Sequence, residues 1–249
     1  MELRGKVALI TGGGTGLGRE IALQLAGEGM DIGINYSKSH QEAEETVAEL
    51  EKLGVKAQTF QANVGNTAEI RSMVERVDQS FGRLDLLVNN AGTTRFIPFQ
   101  DLESVDEEAW DEIFAVNTRS AFFAAKAAVP LMRRNGGGQI INTSSIAGLA
   151  PGGSSLPYAT SKAALIHLTR CLAVALAPDI QVNTVAPGFL ATRWSAGFQP
   201  AQHRANVERA LLQRFTDLAD TAAAFTMLAK NSSITGQVIT VDAGLVNRT

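Results

Sequence analysis

Cysteine is almost missing from this 249-residue sequence: there is one, Cys171, with three histidines scattered along the chain. A lone thiol forms no internal disulfide, and the chain is expected to work in a reducing compartment, the cytoplasm. So few histidines and cysteines give no spacing suited to a transition-metal cage, and no metal is expected. Neither sign of charge is in excess. The 22 Lys and Arg against 25 Asp and Glu leave a net charge of −3, which recruits neither nucleic acid nor an anionic membrane. Long apolar runs are missing too. The first, Val7 to Ile10, is too short for a signal sequence. Later ones are broken by Lys126 and Pro130, or by His167 and Arg170, short of a membrane span. What remains, 45% apolar and 19% charged residues, is the balance of a soluble globular chain long enough to bury a sizeable core.

Short β-branched runs alternate with longer helical stretches. Strands are expected at 7–10, 32–36, 55–60, 84–88, 139–143, 180–185 and 237–241. Their near-continuous apolar character suits a parallel sheet buried on both faces. Helices are expected at 16–26, 39–53, 67–81, 106–134 (as two), 157–177 and within 190–230, with Ser39 as an N-cap and Gly54 beyond a C-terminus. This alternation predicts an α/β fold, a doubly wound Rossmann-type sheet of seven parallel strands in one domain spanning 1–249. The stretch 190–215, which carries Trp194 and Phe198, reads as an insertion after the sixth strand and a natural lid over a ligand.

The stretch "TGGGTGLG", residues 11–18, joins the first strand to the first helix. A glycine-rich turn in that place cradles phosphate. The familiar dinucleotide spacing does not fit, because its third glycine would fall on Leu17, Arg19 or Ile21; a Walker pattern begun at Gly13 reads Arg19-Glu20 where Lys and Ser or Thr are needed. Physically, Gly12 allows the turn, Gly16 lets a pyrophosphate approach the backbone, and Gly18 allows helix and strand to pack closely. A tight turn with no ligand is the plain alternative.

Three further motifs follow in order: "NNAG" (Asn89 to Gly92) closing the fourth strand, "YATSK" (Tyr158 to Lys162) opening a long helix, and "APGF" (Ala186 to Phe189) after the sixth strand. With TGxxxGxG they resemble the short-chain dehydrogenase/reductase family over essentially the whole chain, and most of all its 3-oxoacyl-(acyl carrier protein) reductase branch. The resemblance implies that Gly12, Thr15, Gly16, Leu17 and Gly18 hold a dinucleotide pyrophosphate. It places Asn63 and Val64 beside the adenine, with Asn63 standing where an Asp is frequent. Asn90, Ala91 and Gly92 would pass the ribose, and Pro187, Gly188 and Thr192 would flank the nicotinamide.

The dinucleotide's identity is read at the end of the second strand. A carboxylate about twenty residues after the glycines would bond the 2′-hydroxyl of NAD. Here the segment is Asn35, Tyr36, Ser37, Lys38, Ser39, whose hydroxyls, cation and helix start suit a 2′-phosphate. NADP(H) is expected over NAD(H), although Thr15 stands where many NADPH users of the family carry a basic residue.

Tyr158 and Lys162 are four apart and so share one face of a helix. A phenol titrates near about 10; a neighbouring ammonium, or an oxidised nicotinamide, would lower that value. Ser145 precedes Tyr158 by 13 residues and is followed by Ile146, Ala147 and Gly148. The resemblance makes it the serine that polarises the substrate carbonyl, with Ser144 in support. It makes Asn117 the asparagine that holds a water for a proton relay; an N-cap of helix 118–134 is the plain alternative. Cys171 reads as a buried small hydrophobe. His40, His167 and His203 read as structural or solvated.

The expected activity is NADP(H)-dependent interconversion of a carbonyl and a secondary alcohol, with Tyr158 as general acid/base. An NAD-dependent alcohol or sugar dehydrogenase is the alternative within the family, and a non-catalytic dinucleotide sensor the alternative outside catalysis. The substrate pocket is expected among Thr93 to Phe99, Leu149 to Leu156 and the 190–215 lid, where Arg95 and Arg193 either meet an anionic substrate or face solvent. The resemblance implies a homotetramer that pairs helices 118–134 and 158–176. No feature of the sequence points to an acyl carrier protein as partner.

Overall fold

The computed structural model describes residues 1–248, and for Trp194, Ala196 and Arg248 the backbone alone. The seven strands are β1 (Val7–Ile10), β2 (Asp31–Tyr36), β3 (Ala57–Gln61), β4 (Leu86–Asn89), β5 (Gly138–Thr143), β6 (Ile180–Pro187) and β7 (Val238–Val241). They form one sheet in the order β3-β2-β1-β4-β5-β6-β7, every pairing parallel. The order reverses between β1 and β4. In a doubly wound sheet the crevice outside the strand ends opens at that reversal.

Helices α1 (Gly16–Gly27), α2 (His40–Lys52) and α8 (Leu218–Lys230) cover one face; α3 (Thr67–Phe81), α5 (Ser120–Arg134) and α6 (Leu156–Leu176) cover the other. Short strands serve both faces by alternation. On β1, Ala8 and Ile10 pack toward α1 and α8, while Val7 and Leu9 pack toward α3 and α5. The apolar runs are therefore continuous because both sides are dry. Two shorter helices, α4 (Glu107–Phe114) and α7 (Pro200–Arg209), complete the set.

The single break expected within 106–134 is a π-helical turn, Ala115–Arg119, between α4 and α5. Asn117 lies inside that turn and caps no helix; its side chain bonds Thr93 and Ser161 instead. Ser39 precedes α2 without its hydroxyl bonding any helix amide. Cys171 is exposed, because α6 turns Thr169, Leu172 and Ala173 inward and leaves Cys171 on the outer face. On length and composition α6 is apolar enough to cross a membrane; in this fold it lies along β6 and carries the buried Lys162.

Candidate active site

The glycine turn is shaped by two strained positions and one steric one. Gly12 and Gly16 have φ of 62° and 53°, left-handed backbone that favours glycine. Gly18 is ordinary in φ, but a Cβ there would lie 2.3 Å from the Gly12 carbonyl oxygen and 2.6 Å from Asn90 Nδ2. A Cβ on Gly16 would meet only Thr192, 3.8 Å away across the cleft. That space at the N-terminus of α1 fits a pyrophosphate, and α1 has no acidic residue in its first turn to oppose an anion.

Three side chains fix the turn. Asn35 Oδ1 accepts from the Gly12 amide at 3.3 Å while Nδ2 donates to the carbonyls of Phe60 and Ala62 at 3.1 and 3.0 Å. Thr11 Oγ1 accepts from the amides of Asn90 and Ala91 at 2.9 and 3.0 Å. Asn90 Nδ2 donates to the carbonyls of Thr11 and Gly12. The end of β4 and the end of β2 thus grip the turn from both sides.

A cleft of about 900 Å³ runs from this turn across the strand ends. Gly12, Thr15, Gly16, Leu17, Gly18, Tyr36, Ser37, Lys38, Asn63 and Val64 line one end. Asn90, Ala91, Gly92, Pro187, Gly188 and Thr192 line its middle, and Ser145, Tyr158 and Lys162 its other end. Every expected cofactor residue therefore borders one continuous space. Asn63 has a local duty as well, its Oδ1 accepting from the Gly65 amide at 2.9 Å.

Tyr158 owes its place to the start of α6. Ser155 caps the helix, its Oγ accepting from the Tyr158 amide at 3.4 Å, and Pro157 sits in the first turn where its missing N–H costs nothing. The half-buried Tyr158 therefore lies at the helix mouth, with Lys162 one turn deeper and 4% exposed. The loop after β5 docks on the same helix. Gly148 is required there, since a Cβ would come 2.7 Å from the Lys162 carbonyl carbon; this is the physical content of the Ser145-Ile146-Ala147-Gly148 spacing. Ser144 Oγ donates to the Lys162 carbonyl oxygen at 2.9 Å, which braces loop against helix. Ser145 Oγ accepts from the Ala147 amide at 3.1 Å and bonds the Tyr158 phenol.

The electrostatics differ from the simple picture of an ammonium acidifying a phenol. Burial pushes Tyr158 above the usual phenol value, and the Ser145 hydrogen bond opposes it. Burial pulls Lys162 down to about 8. Lys162 Nζ donates to the Thr143 carbonyl oxygen at 2.8 Å and stands 5.7 Å from the centroid of the Tyr158 ring. Burial is the dominant influence on both groups.

Asn117 forms a clamp. Its Oδ1 accepts from the Thr93 amide at 2.8 Å, and Nδ2 donates to the Thr93 carbonyl and to Ser161 Oγ, both at 3.0 Å. It ties the loop after β4 to the helix residue beside Lys162, from within a π turn, a distortion frequent at functional sites.

Part of the cleft wall is aromatic. Phe198 packs edge-on against Phe96 and Phe189 at 5.0 and 5.2 Å between centroids, and Phe189 meets His203 at 5.0 Å. Arg95 is held by Asp106, Glu108 and Glu112. Arg193 is held by Glu42. Sequence reasoning missed the staple through Asn35, the Thr11 hydroxyl and the reach of Arg193, all of which join residues distant along the chain.

Residues 6–203 match the family described as short chain dehydrogenase. A granaticin polyketide synthase putative ketoacyl reductase of Streptomyces violaceoruber is 39% identical over 96% of this chain and 95% of its own length. A 3-oxoacyl-[acyl-carrier-protein] reductase FabG of Staphylococcus aureus is 39% identical over 96% and 98%. Among solved structures, a Burkholderia cenocepacia short chain dehydrogenase in complex with NADP superimposes with a TM-score of 0.91, 36% identity and coverage of 99% and 100%. The NADPH-dependent 3-quinuclidinone reductase of Rhodotorula rubra gives 0.91, with 32% identity and coverage of 98% and 92%.

Proposed function

This chain belongs to the short-chain dehydrogenase family and is an NADP(H)-dependent oxidoreductase that interconverts carbonyl and alcohol; within that class we propose that it reduces the ketone of a 3-oxoacyl thioester. The observation that carries the reading is the meeting of Ser145, Tyr158 and Lys162 at one end of the cleft whose other end is the glycine turn. The glycine turn would hold NADPH, which would supply the hydride for the carbonyl carbon. The chain's own groups handle the oxygen. Ser145 donates a hydrogen bond to it as negative charge develops. Tyr158 gives its hydroxyl proton to that oxygen, so the product leaves as the alcohol.

Lys162 stays largely protonated at neutral pH, with its pKa about 8, and its charge stabilises the phenolate that Tyr158 becomes. Ser144 and Asn117 act as positioning residues, holding the β5 loop and the β4 loop against α6. The Phe189 and Phe198 wall, with Leu245 and Val246, supports an apolar chain beside the reacting ketone. Arg95 is engaged by three carboxylates, which favours a neutral reacting group over an anionic one.

The same reading includes a homotetramer in the cytoplasm built on the outer faces of α5 and α6. Phe122 and Val174 there are 41% and 83% exposed, apolar area that a partner copy would cover; light scattering of the purified chain reads the assembly directly.

Following NADPH consumption against 3-oxoacyl thioesters, simple ketones and sugars tests the substrate. The thioester is expected to lead in kcat/KM by about tenfold or more, the worth of one well-filled apolar contact. A sugar as best substrate would overturn the proposal.

A further inference from the structure

Thr15 leaves the glycine turn without the cation that would face a 2′-phosphate, and the fold brings one from elsewhere. Arg193 lies 178 residues further on, at the start of the 3-10 turn Arg193–Gly197. Its Nη2 donates to Thr15 Oγ1 at 3.1 Å and to Ser39 Oγ at 3.0 Å, and its Nη1 donates to Glu42 Oε1 at 3.1 Å. Thr15 and Ser39 are the residues that precede α1 and α2, and neither hydroxyl bonds a helix amide. Both are turned to the guanidinium instead.

The arrangement is electrostatically incomplete without an anion. Helix N-termini carry positive partial charge, so a guanidinium held against two of them is of the wrong sign. Glu42, in the first turn of α2, supplies the compensating charge. Ser37 and Lys38 line the same cleft as Arg193. Two hydroxyls, a guanidinium and two helix starts around one carboxylate make a site for a stronger, doubly charged acceptor.

We propose that Arg193 is the second cation of the 2′-phosphate site, replacing Glu42 as its partner with the cofactor's phosphate, and is thereby a determinant of NADP(H) over NAD(H). Because Arg193 directly follows Thr192, which borders the cleft across from Gly16, the phosphate end of the cofactor also fixes the segment that covers it. The inference rests on NADP(H) as cofactor and adds the residue that selects it.

Calorimetric binding of NADP⁺, NAD⁺ and 2′,5′-ADP to Arg193→Gln, Arg193→Lys and Glu42→Gln tests it. Arg193 is 61% exposed at its side chain, so these variants keep the fold. Arg193→Gln is expected to weaken NADP⁺ and 2′,5′-ADP by about tenfold, the loss of a charge-assisted bond, and to leave NAD⁺ within about twofold. Arg193→Lys recovers part of the loss, without the bidentate fork. Glu42→Gln tightens NADP⁺, since a competing anion is gone. In the wild type, NADP⁺ protects 190–215 from proteolysis better than NAD⁺ does; in Arg193→Gln the two protect equally. Equal loss of NADP⁺ and NAD⁺ binding in Arg193→Gln, or NADP⁺ weakened by Glu42→Gln, would show a structural latch and overturn the inference. A wild type that prefers NAD⁺ would instead overturn the cofactor assignment beneath it.

Discussion

Lys162 points its ammonium at the Thr143 carbonyl oxygen, 2.8 Å away at the end of β5, so this charge is buried in the fold itself. Its pKa falls from 10.5 to about 8 through desolvation. Below about 8 both folded and unfolded chains carry the proton, and the full cost of burying it is present. Between about 8 and 10.5 the unfolded chain still binds a proton that the folded chain has released, so stability rises with pH across that window.

Lys162→Met keeps the stem and removes the charge. Urea unfolding of wild type and variant from neutral pH to pH 10.5 is expected to show the wild type gaining on the variant by roughly 3 kcal/mol. Parallel curves would mean that Lys162 titrates as an ordinary exposed lysine.

Gly18 and Gly27 lie in the first and last turns of α1 and predict opposite outcomes. Gly18→Ala drives a Cβ to 2.3 Å from the Gly12 oxygen. Thermal unfolding should show a loss of about 1–3 kcal/mol or more, with NADP⁺ binding lost as the turn shifts. Gly27 has nothing within 4 Å of the built Cβ, and Gly27→Ala should gain about 0.5 kcal/mol. A tolerant Gly18 would contradict the close-packing role assigned to it.

How much of this was legible in the sequence depends on how far apart the cooperating residues lie. Tyr158 and Lys162 declare themselves by helical spacing, and the glycine turn by density between a strand and a helix. The central strands are visible because they are apolar on both faces, whereas the edge strand β3 buries only Phe60. Boundaries shifted by a residue or two, as at β3, where the exposed Gln61 still pairs with Tyr36. What stayed hidden is contact at long range. Arg193 meeting Thr15, Asn35 stapling Gly12 to β3, and Asn117 reaching Ser161 have no local pattern. The π turn at 115–119 showed only as a break between two helices, because the apolar pattern marks the change of phase and not its hydrogen bonding. Helical spacing gives Tyr158 its neighbour Lys162, but neither the Thr143 carbonyl that holds the ammonium nor the burial that raises the phenol.

The Asn117 clamp predicts a coupled pair. Asn117→Ala leaves the Thr93 amide and carbonyl and the Ser161 hydroxyl short of a partner, and should cost about 1–3 kcal/mol in urea unfolding. Ser161→Ala should cost less, since Asn117 keeps both of its bonds to Thr93 and the Tyr158 carbonyl keeps its place in the helix. A double-mutant cycle is expected to return a coupling of about 1 kcal/mol. Additive losses would mean that the Asn117–Ser161 bond contributes nothing of its own.

The account turns on Tyr158 as the group that moves the proton, and Tyr158→Phe tests it most directly, because one oxygen atom is removed and the ring packing kept. Steady-state kcat with NADPH and the best carbonyl substrate should fall by about 10²–10⁴, while the Kd for NADP⁺ measured by calorimetry stays within about twofold. A variant that retains most of its turnover would contradict the assignment, whatever its substrate.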